Sequence, residues 1–108
     1  VLILKSSPEF QRVARLGKRW SAPAFIIQVL IKEPATPFRL GLTASRKVGN
    51  AVVRNRAKRR LREMIRTFGT LPTGVDLVLI AKTAAAEHDF LLMKGDFMRG
   101  LQSLGIIS

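Results

Sequence analysis

Residues 38–69 read FRLGLTASRKVGNAVVRNRAKRRLREMIRTFG, and the period of their apolar positions changes midway. From Phe38 to Ser45 the pattern alternates. Phe38, Leu40, Leu42 and Ala44 point one way, and Arg39, Gly41, Thr43 and Ser45 the other, as in a strand with one face on a core. The second set is small and polar, which leaves room above it for a ligand. From Val53 the spacing becomes helical. Val53, Ala57, Leu61, Met64, Ile65 and Phe68 form one stripe of an amphipathic helix. Asn50 is placed to cap it, Gly49 turns the chain before it, and Gly69 stops it.

The rest of that helix surface is basic. Between Ser45 and Arg66 stand Arg46, Lys47, Arg54, Arg56, Lys58, Arg59, Arg60, Arg62 and Arg66, with Glu63 as the one acid. The window holds +8 of the chain's net +12. From Thr83 onward the balance is −1, so the charge is concentrated on one surface. Seven Arg and Lys on one helix repel each other unless a polyanion lies against them. The preference for Arg suits bidentate phosphate contact. Nucleic acid is the leading partner on charge, and an anionic membrane surface the second. Gly69 and Pro72 interrupt the helix and no heptad follows, so a leucine-zipper basic region does not fit.

Upstream, Ser7-Pro8-Glu9 opens a first helix, with Ser7 as cap. Phe10, Val13, Ala14 and Leu16 share its face, and Gly17 ends it. Ala24–Ile31 (AFIIQVLI) is an apolar, β-branched strand bounded by Pro23 and Glu33-Pro34. Val75–Ala81 (VDLVLIA) is a second buried strand. A last helix runs from Glu87 to about Leu104, with Phe90, Met93, Phe97, Leu101 and Leu104 inward and Gly95 and Gly100 weakening it. The expected architecture is an α+β two-layer sandwich in one domain spanning residues 1–108.

Composition narrows the chemistry. The chain has 108 residues, is 47% hydrophobic and has no cysteine, which excludes a disulfide framework, a zinc-cysteine site and a thiol nucleophile. Its apolar runs are too short to span a bilayer and no secretory signal stands out, so a cytoplasmic setting is expected. His88 is the only histidine and has no catalytic partner nearby. The seven acids are scattered, without the clustering a metal nuclease needs. Glu63 sits at ion-pair spacing from Arg59 and Arg66, and Asp76 lies in a strand within reach of a basic partner. There is no Walker-type phosphate loop. No catalytic residue is assigned. Phe10 has two open readings: a core residue, or an aromatic beside a cationic groove that stacks an unpaired base.

RLGLTASRKVGNAVVRNRAKRRLRE (Arg39–Glu63) resembles the signature of the bacterial ribonuclease P protein subunit family. The similarity extends upstream to F-Q-R-V-x-x-x-G-K (Phe10–Lys18) and downstream to GVDLVLIA (Gly74–Ala81), nearly the whole chain. It implies a four-stranded sheet and three helices in the order αβββαβα, with an extra strand near Lys18–Ser21 and a left-handed crossover through the basic helix. Residue-level reasoning alone would expect a right-handed one. The same domain type occurs in a ribosomal protein.

The resemblance also implies a role. The family's catalyst is a large RNA that uses bound magnesium ions to remove the 5′ leader of precursor tRNA. The protein binds no cofactor itself; it docks on the catalytic RNA and holds the single-stranded leader. Carried over by motif, Arg54, Asn55, Arg56, Lys58, Arg59 and Arg62 grip the catalytic RNA. Phe10, Phe25, Ser45, Arg46 and Lys47 belong to the leader cleft. Ala14 stands where some members carry a second cleft aromatic. Neither membrane nor DNA is an expected partner. The rival functions are a ribosomal or RNA-chaperone-type RNA binder, and a nuclease acting without RNA.

Overall fold

The computed structural model describes residues 2–108. A five-stranded sheet carries three helices. In chain order the elements are β1 (Leu2–Ile3), α1 (Ser7–Leu16), β2 (Lys18–Ser21), β3 (Phe25–Ile31), β4 (Arg39–Ala44), α2 (Ala51–Phe68), β5 (Val75–Ala81) and α3 (Phe90–Ser103). Short 3-10 turns at Arg46–Val48 and Thr83–Ala86 precede α2 and α3. The strands lie in the order β1-β4-β5-β3-β2. β4 and β5 are parallel neighbours joined through α2, whereas β3 pairs antiparallel with both β5 and β2. Among the described residues, no helix is long and apolar enough to cross a membrane.

The sheet is one strand wider than the expected four. Leu2 and Ile3 pair in parallel with Arg39 and Leu40 at the β4 edge. Two residues give no readable alternation, which is why this strand escapes a search for periodicity. The strand expected near Lys18–Ser21 is present as β2.

Register sorts the side chains into two faces. Phe25, Ile27 and Val29 of β3 stand opposite Ala81, Leu79 and Leu77 of β5, and Leu40, Leu42 and Ala44 of β4 continue the same face. This is the main core. Helix α2 lays Ala57, Leu61, Met64 and Ile65 on it, and α3 adds Met93, Phe97 and Leu101. Each fully buried large side chain contributes roughly 1.5–3 kcal/mol relative to exposure. Phe97 anchors the layer by edge-on contacts with Phe25 and Phe68, at centroid distances of 6.4 and 5.2 Å. Gly100 has a packing purpose despite its low helix propensity. A Cβ there would sit 2.5 Å from Ile27 Cδ1 and 2.6 Å from Trp20 Cε3, so glycine lets α3 settle onto β2 and β3.

The second face is only partly covered. Leu4, Val13 and Val78 form a small core under α1, flanked by Phe10, Leu30 and Ile80. Leu16, expected inward, is 58% exposed at the last position of α1, about 120° round the helix from Phe10. The cap is Ser6, not Ser7. Its side chain accepts from the Glu9 backbone N–H while Glu9 Oε1 accepts from the Ser6 backbone N–H, a reciprocal capping box. The third helix starts at Phe90 rather than Glu87, with Asp89 as cap.

Candidate nucleic-acid interface

The uncovered part of the second sheet face is a cleft of about 510 Å³, walled by Ser7, Phe10, Gln11 and Ala14 of α1 and floored by Gln28, Thr43, Val78 and Ile80. Ile80 also floors a second cleft of similar size, bordered by Ile26, Ser45, Lys47 and Lys82. The two meet at Ile80, one lying against α1 and the other reaching the turn where α2 begins. Their floor is apolar and amide-bearing, and the far end is cationic. This is a chemistry for a chain with flat apolar faces and a charged backbone.

Each wall is built from local sequence. Phe10 is half-buried, and its ring lies on Gly41, where any Cβ would come within 2.7 Å of ring Cε1. Glycine on the small-residue face of β4 therefore makes the seat for the aromatic. Ala14, one turn on, is exposed and leaves the cleft wide there. Ser45 caps the 3-10 turn, its hydroxyl accepting from the Lys47 N–H at 3.3 Å. That turn presents Arg46 and Lys47 to solvent while Val48 is buried.

A charge cluster centred on the buried Asp76 ties α1 to the sheet. Asp76, 2% exposed, accepts from Arg39 Nε and Nη2 at 2.9 and 2.8 Å, and Lys32 Nζ lies 3.2 Å away. Arg39 also donates to Glu9 Oε2 at 2.7 Å. Burial pushes the Asp76 carboxyl up, but hydrogen bonds and charge from Arg39 and Lys32 outweigh it, and the net direction is down. Glu9 is lowered from 4.5 to about 2, first by the backbone N–H groups of Ser6 and Lys5, then by the Ser6 hydroxyl and the charge of Arg39.

One expected cleft residue is misplaced. Phe25 is 0% exposed and points into the main core against Phe97, on the sheet face opposite the cleft. The cause is register: Phe25 is opposite Ala81, so its neighbour Ile26, opposite Ile80, faces the cleft instead. Gln28, the polar residue within the apolar run of β3, is the floor residue that motif reasoning passed over.

The basic helix presents most of its charge outward. Asn55, Arg56, Arg59 and Arg62 are exposed, with Arg54 and Lys58 half-exposed. Asn50 caps α2 through its Oδ1 and the Val53 N–H, 3.0 Å. Gly49 takes φ 148°, a backbone that side chains disfavour. Arg54 also donates to the Gly49 carbonyl at 3.0 Å. Arg56 is 3.4 Å from Glu87, Glu63 is held by Arg66, and Arg60 is turned inward onto the carbonyls of Ala85 and His88. Lys58, Arg59 and Arg62 make no ion pair among the described residues, which leaves their charge for a ligand.

Comparison with known proteins agrees with this architecture. The family model for ribonuclease P matches residues 2–105. The ribonuclease P protein component of Gluconacetobacter diazotrophicus is 41% identical over 105 residues, covering 95% of this chain and 90% of that one. That of Paramagnetospirillum magneticum is 36% identical over 110 residues, covering 96% and 83%. The Staphylococcus aureus RNase P protein structure superposes with a TM-score of 0.83 at 26% identity, covering 100% of this chain and 99% of that one. The Thermotoga maritima RNase P protein gives 0.77 at 26% identity, with the same coverage. An αβββαβα core with an added edge strand, an Arg-Asn-Arg helix and relatives matched nearly end to end place the chain in the ribonuclease P protein component family, the protein subunit of a tRNA-processing endoribonuclease.

Proposed function

We propose that this chain docks through α2 on the catalytic RNA of ribonuclease P and holds the single-stranded 5′ leader of precursor tRNA in the cleft under α1. The observation that carries this reading is the continuity of the two surfaces. The cleft beside Phe10 and the one bordered by Lys47 share Ile80 in their floors, and Lys47 lies in the turn that opens the basic helix. A leader in the cleft thus leaves at the point where the docking face begins. Leaders of varied sequence call for stacking and backbone contact more than base-edge readout.

In this reading the protein's part is binding and charge compensation, and the RNA performs the cleavage. The carboxylates do not fit a magnesium cage. Asp76 is held by Arg39 and Lys32, Glu9 by its cap and Arg39, Glu63 by Arg66, and Asp96 by Arg99. No group of three or more His, Cys, Asp or Glu suited to a metal occurs among the described residues. Magnesium belongs with the RNA, where two RNA chains crowd negative charge. A protein of net +12 lowers that repulsion and so raises affinity for substrate and metal without ligating the ion.

Reconstitution tests this directly. Precursor tRNA is incubated at low magnesium with the catalytic RNA alone, the protein alone and both together. Efficient cleavage at the 5′ junction is expected only with both. Cleavage by the RNA-free protein overturns the division of labour, and an RNA whose activity ignores the protein overturns the docking role.

A further inference from the structure

Where the middle of α2 passes the first turn of α3, Arg59, Arg60, Glu63 and Phe90 line a shallow cleft of about 380 Å³. It lies outside the leader path. Phe90 is half-exposed, and two cations flank its ring: the Arg60 guanidinium carbon at 5.8 Å and Lys94 Nζ at 6.0 Å from the centroid. Arg60 is immobilised by its hydrogen bonds to the Ala85 and His88 carbonyls, at 2.7 and 2.5 Å. Glu63 is neutralised by Arg66. Arg59, on the rim, is exposed and makes no ion pair among the described residues.

Phosphate contact by α2 needs no aromatic ring. A partly exposed phenyl group beside two cations supplies something else, an apolar plane next to positive charge. The complementary ligand has a flat apolar face and an adjacent anion, as an unpaired nucleotide does. Bases extruded from structured RNA stack on aromatic rings and on Arg guanidinium planes, whereas a base inside a duplex offers neither face. The cleft continues the exposed basic face of α2, so the molecule supplying that nucleotide is the one docked on the helix.

We propose that the Phe90 cleft is a subsite for one unpaired nucleotide of the catalytic RNA, its base against Phe90 and the Arg60 plane and its phosphate against Arg59. This rests on the docking role proposed for α2.

The test compares Phe90→Leu, Phe90→Trp and Arg59→Ala with the parent chain for affinity to the catalytic RNA across a salt series, with a thermal melt of each. Leucine keeps an apolar side chain but removes the π face. Phe90→Leu is expected to weaken docking about tenfold, with an unchanged salt slope and melt. Phe90→Trp is expected to bind as tightly as the parent, and its added indole emission to be quenched when RNA binds. Arg59→Ala is expected to weaken docking and flatten the log-log salt slope by about 0.7–0.9. Parent-like affinity for Phe90→Leu, or an indole unquenched at saturating RNA, overturns the subsite. If Arg54→Ala/Arg56→Ala loses docking while Phe90→Leu does not, the subsite fails and the docking role stands. A parent chain that does not bind the RNA overturns both.

Discussion

The Phe10 ring occupies the space a side chain at position 41 would need: a Cβ on Gly41 would lie 2.7 Å from Cε1 and 2.9 Å from Cζ of that ring, and 3.2 Å from Leu4 Cδ1. The aromatic wall of the leader cleft is thus set by a glycine on a neighbouring strand. Gly41→Ala forces the ring outward over the cleft floor. Overpacking of this kind costs about 1–3 kcal/mol, and a lower melting temperature is expected with the fold kept. Precursor tRNA affinity is expected to fall while mature tRNA affinity holds, because only the precursor carries a leader. Equal losses for both ligands would contradict the placement of the leader beside Phe10.

Phe10 and Phe25 offer a matched comparison, one ring half-buried at the cleft and one with no exposure in the core. Phe25→Ala is expected to cost about 3–5 kcal/mol of stability and to disturb every ligand alike through loss of folded protein. Phe10→Ala is expected to cost less stability and to weaken precursor binding selectively, by about 1–3 kcal/mol for one stacked base. Thermal melts alongside precursor and mature tRNA affinities separate the two. If Phe10→Ala destabilises as much as Phe25→Ala and shows no leader selectivity, Phe10 is a core residue.

These two rings also mark how far the sequence could be read. The α2 stripe was legible because a helix with one polar face prints its period in the residues, and the β4 alternation for the same reason. Strand β3 was legible as a strand but not by face. AFIIQVLI is apolar on both sides, so alternation cannot tell inside from cleft, and only pairing of Phe25 with Ala81 decides it. Gln28 was the one local clue, a polar residue on the less covered face. The cap is printed in the residues as Ser-x-x-Glu starting at Ser6, one residue before Ser7. The basic residues were legible as a cluster, but not which of them fold inward. That Arg60 binds two carbonyls depends on where the 84–89 segment lies, which α2 itself does not encode.

Acid stability is expected to report the Arg39–Asp76–Glu9 cluster. Both carboxylates are lowered on folding, so the folded state binds fewer protons than the unfolded chain in acid, and their contribution is lost as pH falls. For Glu9 it is present above 4.5 and disappears as pH drops toward about 2. For Asp76 the loss begins below its ordinary 3.8 and continues lower. Asp76→Asn leaves Arg39 and Lys32 facing a neutral amide. Removing one partner of a buried pair costs about 3–5 kcal/mol. The variant is expected to be less stable at neutral pH, with a shallower further loss as pH falls below 3.8. A variant with the parent's full acid dependence would show that other groups govern it.

The helix α2 arginines are expected to divide into two kinds when removed. Arg54 and Arg56 lie off the Val53–Ala57–Leu61 stripe, and their contacts within the chain are a single carbonyl bond and a 3.4 Å exposed pair with Glu87. The exposed pair adds little stability, about 0–1 kcal/mol. Arg54→Ala/Arg56→Ala is expected to keep the helical circular dichroism and to weaken docking on the catalytic RNA, each charged contact being worth about 1.5–3 kcal/mol. The log-affinity slope on log salt is expected to flatten by about 0.7–0.9 for each lost phosphate contact. Arg60 removes the same charge per residue but has a different task. Its guanidinium satisfies the Ala85 and His88 carbonyls and holds the 3-10 turn before α3 against α2. Arg60→Ala is expected to lower the melting temperature more than the double variant does, while flattening the salt slope less. Charge count alone predicts the same slope change per arginine at all three positions. A slope change for Arg60→Ala as large as that for each of Arg54 and Arg56, with an unchanged melt, would show that it faces RNA rather than the turn.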